Sequence, residues 1–237
     1  ARAARERAER AVAPADKEKY REMQKKLGED AAQYFRRALA SCKLGDEEVE
    51  ARALLGEVLL DAGRYAEAAQ TFDEICYRWP DSERAPWALY HQALAGRELS
   101  QSAESDTAKK DHLAKAADAL KKSMEYPQAK TRLQAAWALG DYLGILGDAE
   151  GAREQYRWLA ADGAEWARGW KDAKGQGDPT LENRAREYAA DSLFRLGESY
   201  YFANDYTRAA CFYQEIINRP ADTPQCAMAP LRLGEIA

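Results

Sequence analysis

The dipeptide Leu-Gly opens four stretches of this 237-residue chain that align with one another: LGEVLLDAGRY from Leu55, LGDYLGILGDA from Leu139, LGESYYFANDY from Leu196 and LGEIA from Leu233. A chain that repeats itself at intervals of a few tens of residues folds as an array of like units, each burying its apolar face against the next. That confines the chain to a narrow group of elongated architectures.

The register extends beyond the dipeptide. Ala68 and Phe72, Ala152 and Tyr156, and Ala209 and Tyr213 follow their Leu-Gly at the same distances, in the order Leu-Gly…Ala-x3-aromatic. Gly56, Gly140 and Gly197 carry no Cβ, so a second helix can approach the first closely, and the small alanines do the same from the other side. Seven residues past each glycine stands Gly63, Gly147 or Asn204, the residue types that tolerate the left-handed conformation closing a helix. Each unit therefore reads as two antiparallel helices joined by a short turn. Composition agrees, because Ala, Glu, Arg, Leu and Lys dominate and strand-like blocks of Val, Ile and Thr are missing.

This pattern resembles the tetratricopeptide repeat (TPR) family, whose helix-turn-helix unit runs about 34 residues. The resemblance covers roughly residues 46–237 and implies an all-α fold, a right-handed α-solenoid of TPR helical hairpins with two insertions. The units are expected at about 49–82, 83–128, 133–166 and 190–223, with a partial unit at 227–237. The intervals place the extra residues: Gly56 to Gly140 is 84 residues, Gly140 to Gly197 is 57 and Gly197 to Gly234 is 37. The first insertion falls in the turn of the 83–128 unit, where SQSAESDTAKK has loop composition. The second spans about 161–180, with Trp166, Trp170 and GQGDPT, and Asp178-Pro179 or Thr180 caps the next helix. Residues 16–45 read as one or two helices, a worn first repeat with Tyr34, Phe35, Ala38 and Leu39 on an apolar stripe, preceded by a basic Ala/Arg/Glu-rich arm over 1–15. The last helix lacks its pair, so further chain or a partner is expected over it.

Two segments, RYAEAAQTFDEICYRWPDSERAPWALYHQA and NDYTRAACFYQEIINRPADTPQCAMAPLRLGEIA, are similar to units of bacterial envelope TPR proteins, the outer-membrane-assembly lipoproteins and the Tol-Pal-associated periplasmic coordinator. That likeness implies a periplasmic or outer-membrane-associated setting rather than a cytoplasmic one. Trp79 in place of the usual Tyr, Arg219-Pro220 and the two insertions depart from it.

No run of about 18 apolar residues exists, so no transmembrane segment is expected. Net charge is -5, but residues 1–28 carry nine Lys/Arg against five Asp/Glu, leaving -9 on the remainder. An acidic body argues against nucleic acid as its partner. No Gly-rich phosphate loop, nucleophile elbow or Cys/His pairing is present, so no enzyme activity and no cofactor are expected. His91 and His112 lack further ligands at helical spacing, which argues against a metal. Cys42, Cys76, Cys211 and Cys226 show no CxxC spacing and read as small buried fillers, with Cys211–Cys226 the one pair considered for a disulfide in an oxidising compartment.

In TPR proteins the residue after Leu-Gly faces the concave side. Here it is Glu57, Asp141, Glu198 and Glu235, acidic every time. One helical turn earlier lie Trp137, Phe194 and Leu231, and one turn later Leu60 and Tyr201. The expectation is a groove that grips a protein or a basic, amphipathic peptide. The Lys and Asn residues with which chaperone-binding TPR domains hold a C-terminal carboxylate are missing. Trp166 and Trp170 are expected either to fold the second insertion onto the solenoid or to serve the partner from it. The competing reading is a structural spacer or assembly subunit without a peptide ligand. The partner's identity and the oligomeric state are left open.

Overall fold

The computed structural model describes residues 14–41, 45–172, 174–218 and 224–236. Among these it contains eleven helices and no strand: α1 (Pro14–Ser41), α2 (Gly45–Asp61), α3 (Tyr65–Arg78), α4 (Arg84–Ser102), α5 (Asp106–Met124), α6 (Arg132–Leu146), α7 (Ala149–Ala161), α8 (Gly163–Gly169), α9 (Pro179–Phe202), α10 (Tyr206–Asn218) and α11 (Pro224–Ile236). The chain is an all-α helical-repeat protein that divides into two compact units, Ala1–Ser123 and Met124–Ala237. The first holds the hairpins α2/α3 and α4/α5 with α1 packed ahead of them. The second holds α6/α7 and α9/α10, followed by α11. Of residues 16–45, those up to Ser41 belong to the single helix α1, residues 42–44 lie outside the described residues, and Pro14 stands at the first position of α1, where the missing N–H would be unpaired anyway. Residues 1–13 of the basic arm lie outside the described residues.

Three of the hairpins are closed by the same turn. Gly63, Gly147 and Asn204 have φ of 76°, 91° and 59°. Around each, one amide reaches back three residues and the next reaches back five: Gly63 N to Leu60 O and Arg64 N to Leu59 O, Gly147 N to Gly144 O and Asp148 N to Leu143 O, Asn204 N to Tyr201 O and Asp205 N to Tyr200 O. This is the paired bonding of a Schellman end, which satisfies carbonyls that the helix leaves open. The residue after the turn then starts the second helix: Asp148 accepts from Gly151 N and Asp205 from Arg208 N. Two residues thus end one helix and begin the next.

The glycines do what their position requires. A Cβ on Gly140 would lie 2.7 Å from a ring carbon of Tyr156, and one on Gly197 2.5 Å from Tyr213. Gly56 stands in the same way against Phe72. All three rings are buried, as are Ala68, Ala152 and Ala209. In α4/α5 the notch recurs as Gly96, but the facing residue is Ala116 and the interval is 20 residues instead of 16.

That interval corrects the expectation for the first insertion. SQSAESDTAKK is not a loop: only residues 103–105 are outside helix, and the extra residues lengthen α4 and α5 to 19 residues each. The Ser100 hydroxyl donates to Lys109 O at 2.7 Å across the hairpin tip, and the Ser105 hydroxyl accepts from Ala108 N. Ser105 is a helix cap, which composition alone does not distinguish from loop.

The second insertion folds back on its own unit. Trp166 Nε1 donates to Pro127 O at 3.1 Å and Trp170 Nε1 to Gln128 O at 2.8 Å. Asp178 caps α9 through Thr180 N, with Pro179 at the first helical position, as the sequence suggests. Its carboxylate also meets Lys130 Nζ at 2.5 Å, and these bonds hold its pKa well below the usual carboxylate range.

Two stability outcomes follow from this packing. Gly140→Leu should destabilise the chain by about 1–3 kcal/mol, because the Tyr156 ring has no space to retreat into; an unchanged melting temperature would show that the notch is not tight. Trp170 is 9% exposed, so Trp170→Ala should cost about 3–5 kcal/mol. Trp166→Ala, at a half-buried position, should cost clearly less, and thermal melts of the two variants compare them directly.

Candidate functional site

The first helices of the second unit, α6, α9 and α11, carry most of the side chains that the repeat register singles out. Trp137 donates through Nε1 to Asp191 on α9. The Arg195 guanidinium lies over the Trp137 ring, 5.8 Å from its centroid, and 4.0 Å from Asp141 and 3.9 Å from Asp191. Further along, Glu198 takes Arg232 of α11 in a two-pronged contact, Nε at 2.8 Å and Nη2 at 2.9 Å. Arg232 also reaches Glu235 at 2.7 Å and covers the Tyr201 ring at 5.2 Å. Trp137, Asp141, Glu198, Tyr201 and Glu235 are therefore linked through two arginines. Phe194 leans on the buried Tyr213 ring, centroids 5.8 Å apart. Leu231 stands out at 62% exposure.

The carboxylates differ in how they are held. Glu198 accepts the Tyr213 hydroxyl at 2.6 Å as well as Arg232. Burial, with that hydrogen bond second, pushes the Tyr213 pKa upward, and the bonds to Glu235 and Glu198 raise that of Arg232. Burial likewise pushes Tyr156 up to about 12, with Asp141 and Asp191 contributing repulsion. Both phenols stay protonated at neutral pH, so Tyr213 remains a donor to Glu198.

This arrangement changes the picture of an acidic ladder. Arg195 and Arg232 sit two residues before Gly197 and Gly234, 37 residues apart, and each reaches the acidic residue of the preceding repeat. The signal was present as two RLG triplets. It takes the packing of one first helix against the next to show that these arginines face Asp141 and Glu198. Asp191, one turn before Arg195, was also missed.

The remaining candidates lie elsewhere. Glu57 and Leu60 belong to the first unit, Glu57 exposed and Leu60 half-buried. Trp170 is buried and Trp166 half-buried, each tied to a backbone carbonyl. Their first task is to anchor the insertion, which takes Trp170 out of reach of a partner.

His91 packs against Trp87, centroids 4.0 Å apart and the rings tilted by 32°, and its Nδ1 donates to Trp87 O at 2.9 Å. Burial lowers its pKa, keeping it neutral. Cys76 is half-buried with its thiol near Ala85 O, and burial pushes its pKa up to about 12, so it is an unreactive thiol. Cys211 is exposed and free rather than a buried filler. Cys42 and the Cys226 side chain lie outside the described residues.

Two parts of the chain match family models described as tetratricopeptide repeat, residues 20–83 and residues 191–221. No curated protein matches the chain. The first match runs from within α1 to the end of α3, and the second covers the end of α9 with α10. Repeats of this kind generally mediate protein–protein interaction and scaffolding, and the two matches, with the hairpin geometry around them, support the tetratricopeptide repeat family for this chain.

Proposed function

We propose that this protein is a non-enzymatic interaction scaffold whose second unit grips a basic, amphipathic protein segment along the face of α6, α9 and α11, within a larger assembly such as those of the bacterial envelope. One observation carries the reading. Asp141, Asp191, Glu198 and Glu235 share this face with Arg195 and Arg232, and exposed Leu231 and half-buried Trp137, Tyr201 and Phe194 stand beside them. These groups are four carboxylates and two guanidiniums, set among apolar footholds. A helix with Lys or Arg flanking an apolar stripe complements both features. The two arginines hold the carboxylates in place while the face is empty, and a ligand's own cations add to them.

A structural role as an assembly subunit is the second reading.

A labelled Leu/Lys amphipathic helical peptide and its Leu/Glu counterpart test the groove. The basic peptide should bind more tightly, and its affinity should fall as salt rises from about 0.05 M to about 0.3 M, as the screening length shortens. Leu231→Arg, at an exposed position, should abolish binding without lowering the melting temperature. Equal affinity for both peptides, or binding indifferent to salt and to Leu231→Arg, would remove this face as the site.

A further inference from the structure

Departures from the repeat gather at one place in the second unit. With Ala68, Ala152 and Ala209 aligned, Arg153 stands where the other hairpins carry Ala69 and Ala210, and Arg157 where they carry Asp73 and Gln214. Arg208 takes the place of Glu67 and Gly151, and Glu150 that of Ala66 and Thr207. Three residues after the repeat glycine, Tyr200 replaces the buried Leu59 and Leu143. The other hairpins close without these groups, so the repeat itself does not require them.

All five meet. The Arg153 guanidinium of α7 lies 5.3 Å from the centroid of the Tyr200 ring, and that of Arg208 on α10 lies 5.5 Å from it. Arg157 Nη2 donates to the Tyr200 hydroxyl at 2.8 Å, and Arg153 Nη1 to the Ser199 hydroxyl at 3.0 Å. Phe212 stacks nearly parallel on Tyr200, centroids 5.6 Å apart. The phenol is only 9% exposed, so these guanidiniums are arranged around a fixed aromatic support.

The chain's own Glu150 already fills this seat with a carboxylate. Its Oε2 accepts Arg153 Nε at 3.0 Å and Nη2 at 2.8 Å, and its Oε1 accepts Arg157 Nη1 at 2.8 Å. Forked contacts of this kind are the strong form of guanidinium–carboxylate recognition. The bonds from Arg157 and Arg153 hold the Glu150 carboxyl below its ordinary range, so it is ionised at neutral pH. Yet Glu150 stands in the first turn of α7, on the same helix as both arginines, with its side chain 64% exposed. Exposed pairs within one helix contribute little, and such a side chain can swing aside. Arg208 is more open still, and its partner Asp205, at 3.4 Å, is also engaged in capping α10.

We infer that this cluster is a docking point for an acidic protein segment, whose carboxylates take the forks of Arg153 and Arg157 in place of Glu150 and meet Arg208 beside them. Glu150 is the internal stand-in for that ligand. The arginines come from the second helices α7 and α10, whereas the groove lies along α6, α9 and α11, so the inference does not rest on the groove reading. A scaffold with both surfaces holds a basic and an acidic segment at once.

Fluorescence anisotropy of the full chain with a labelled Ser/Glu peptide, and a Ser/Gln peptide of equal length as control, tests the proposal. Only the Ser/Glu peptide should bind. Glu150→Ala should tighten it about two- to fivefold, the size expected on releasing an exposed ion pair. Arg157→Ala should weaken it about tenfold, as the loss of a charged hydrogen-bond donor does. Arg208→Ala, at an exposed position, should weaken it too, and covers the case in which Arg157→Ala fails to fold. Leu231→Arg should leave it unchanged, because that position belongs to the groove. No binding to either the wild type or Glu150→Ala would overturn the proposal, as would an affinity indifferent to Arg157→Ala and Arg208→Ala. So would a Leu231→Arg chain that loses the peptide, which would put the acidic segment in the groove. Inorganic phosphate that displaces the peptide at equal concentration would also overturn it, since the seat would then take any anion.

Discussion

The close approach of a glycine to an aromatic ring is the interaction on which three of the four hairpins depend. Where Gly140 meets Tyr156 and Gly197 meets Tyr213, the backbone of one helix is in contact with the flat side chain of its partner, and the crossing distance is set by a missing Cβ. Interiors are packed as densely as organic crystals, so such a contact admits little adjustment. Everything outward of it inherits that spacing. The two-residue turn can close only if the helices lie this near, and the acidic residue after the glycine reaches an arginine of the next first helix only because successive units share one geometry.

Local chemistry made most of the fold legible. Gly63, Gly147 and Asn204 were readable as left-handed helix ends because few other residues accept a positive φ, and Asp178-Pro179 as a helix start because cap and first-turn proline are strong signals. Interactions between units were harder to see. Nothing in SQSAESDTAKK distinguishes a capped, lengthened hairpin from a surface loop until Ser105 is seen accepting from Ala108 N. Trp170 reads either as a fastener of its insertion or as a partner contact, and its bond to the carbonyl of Gln128, 42 residues away, supplies the fastening. The candidate face was legible by register, but its charge was misjudged, because Arg195 and Arg232 act on residues 54 and 34 positions earlier.

The arginines give the candidate face a property that a bare acidic strip would lack. Glu198 is held by a phenol and a guanidinium from two other helices, so its position is fixed before any ligand arrives. Groups already ordered lose less entropy on binding. The same contacts fasten α11 to α9.

Between α8 and α9 lies an irregular stretch that a protease can reach, with Lys174, Gly175 and Gln176 exposed. It is bracketed on one side by the indoles of Trp166 and Trp170 on the carbonyls of Pro127 and Gln128, and on the other by Asp178 on Lys130. All of these anchor on residues 127–130. A chain cut after Lys174 would have both new ends fastened to the same short piece of backbone. A protease scar there separates fragments on a denaturing gel while the native particle keeps its shape, so intact behaviour in solution is no proof of an intact chain.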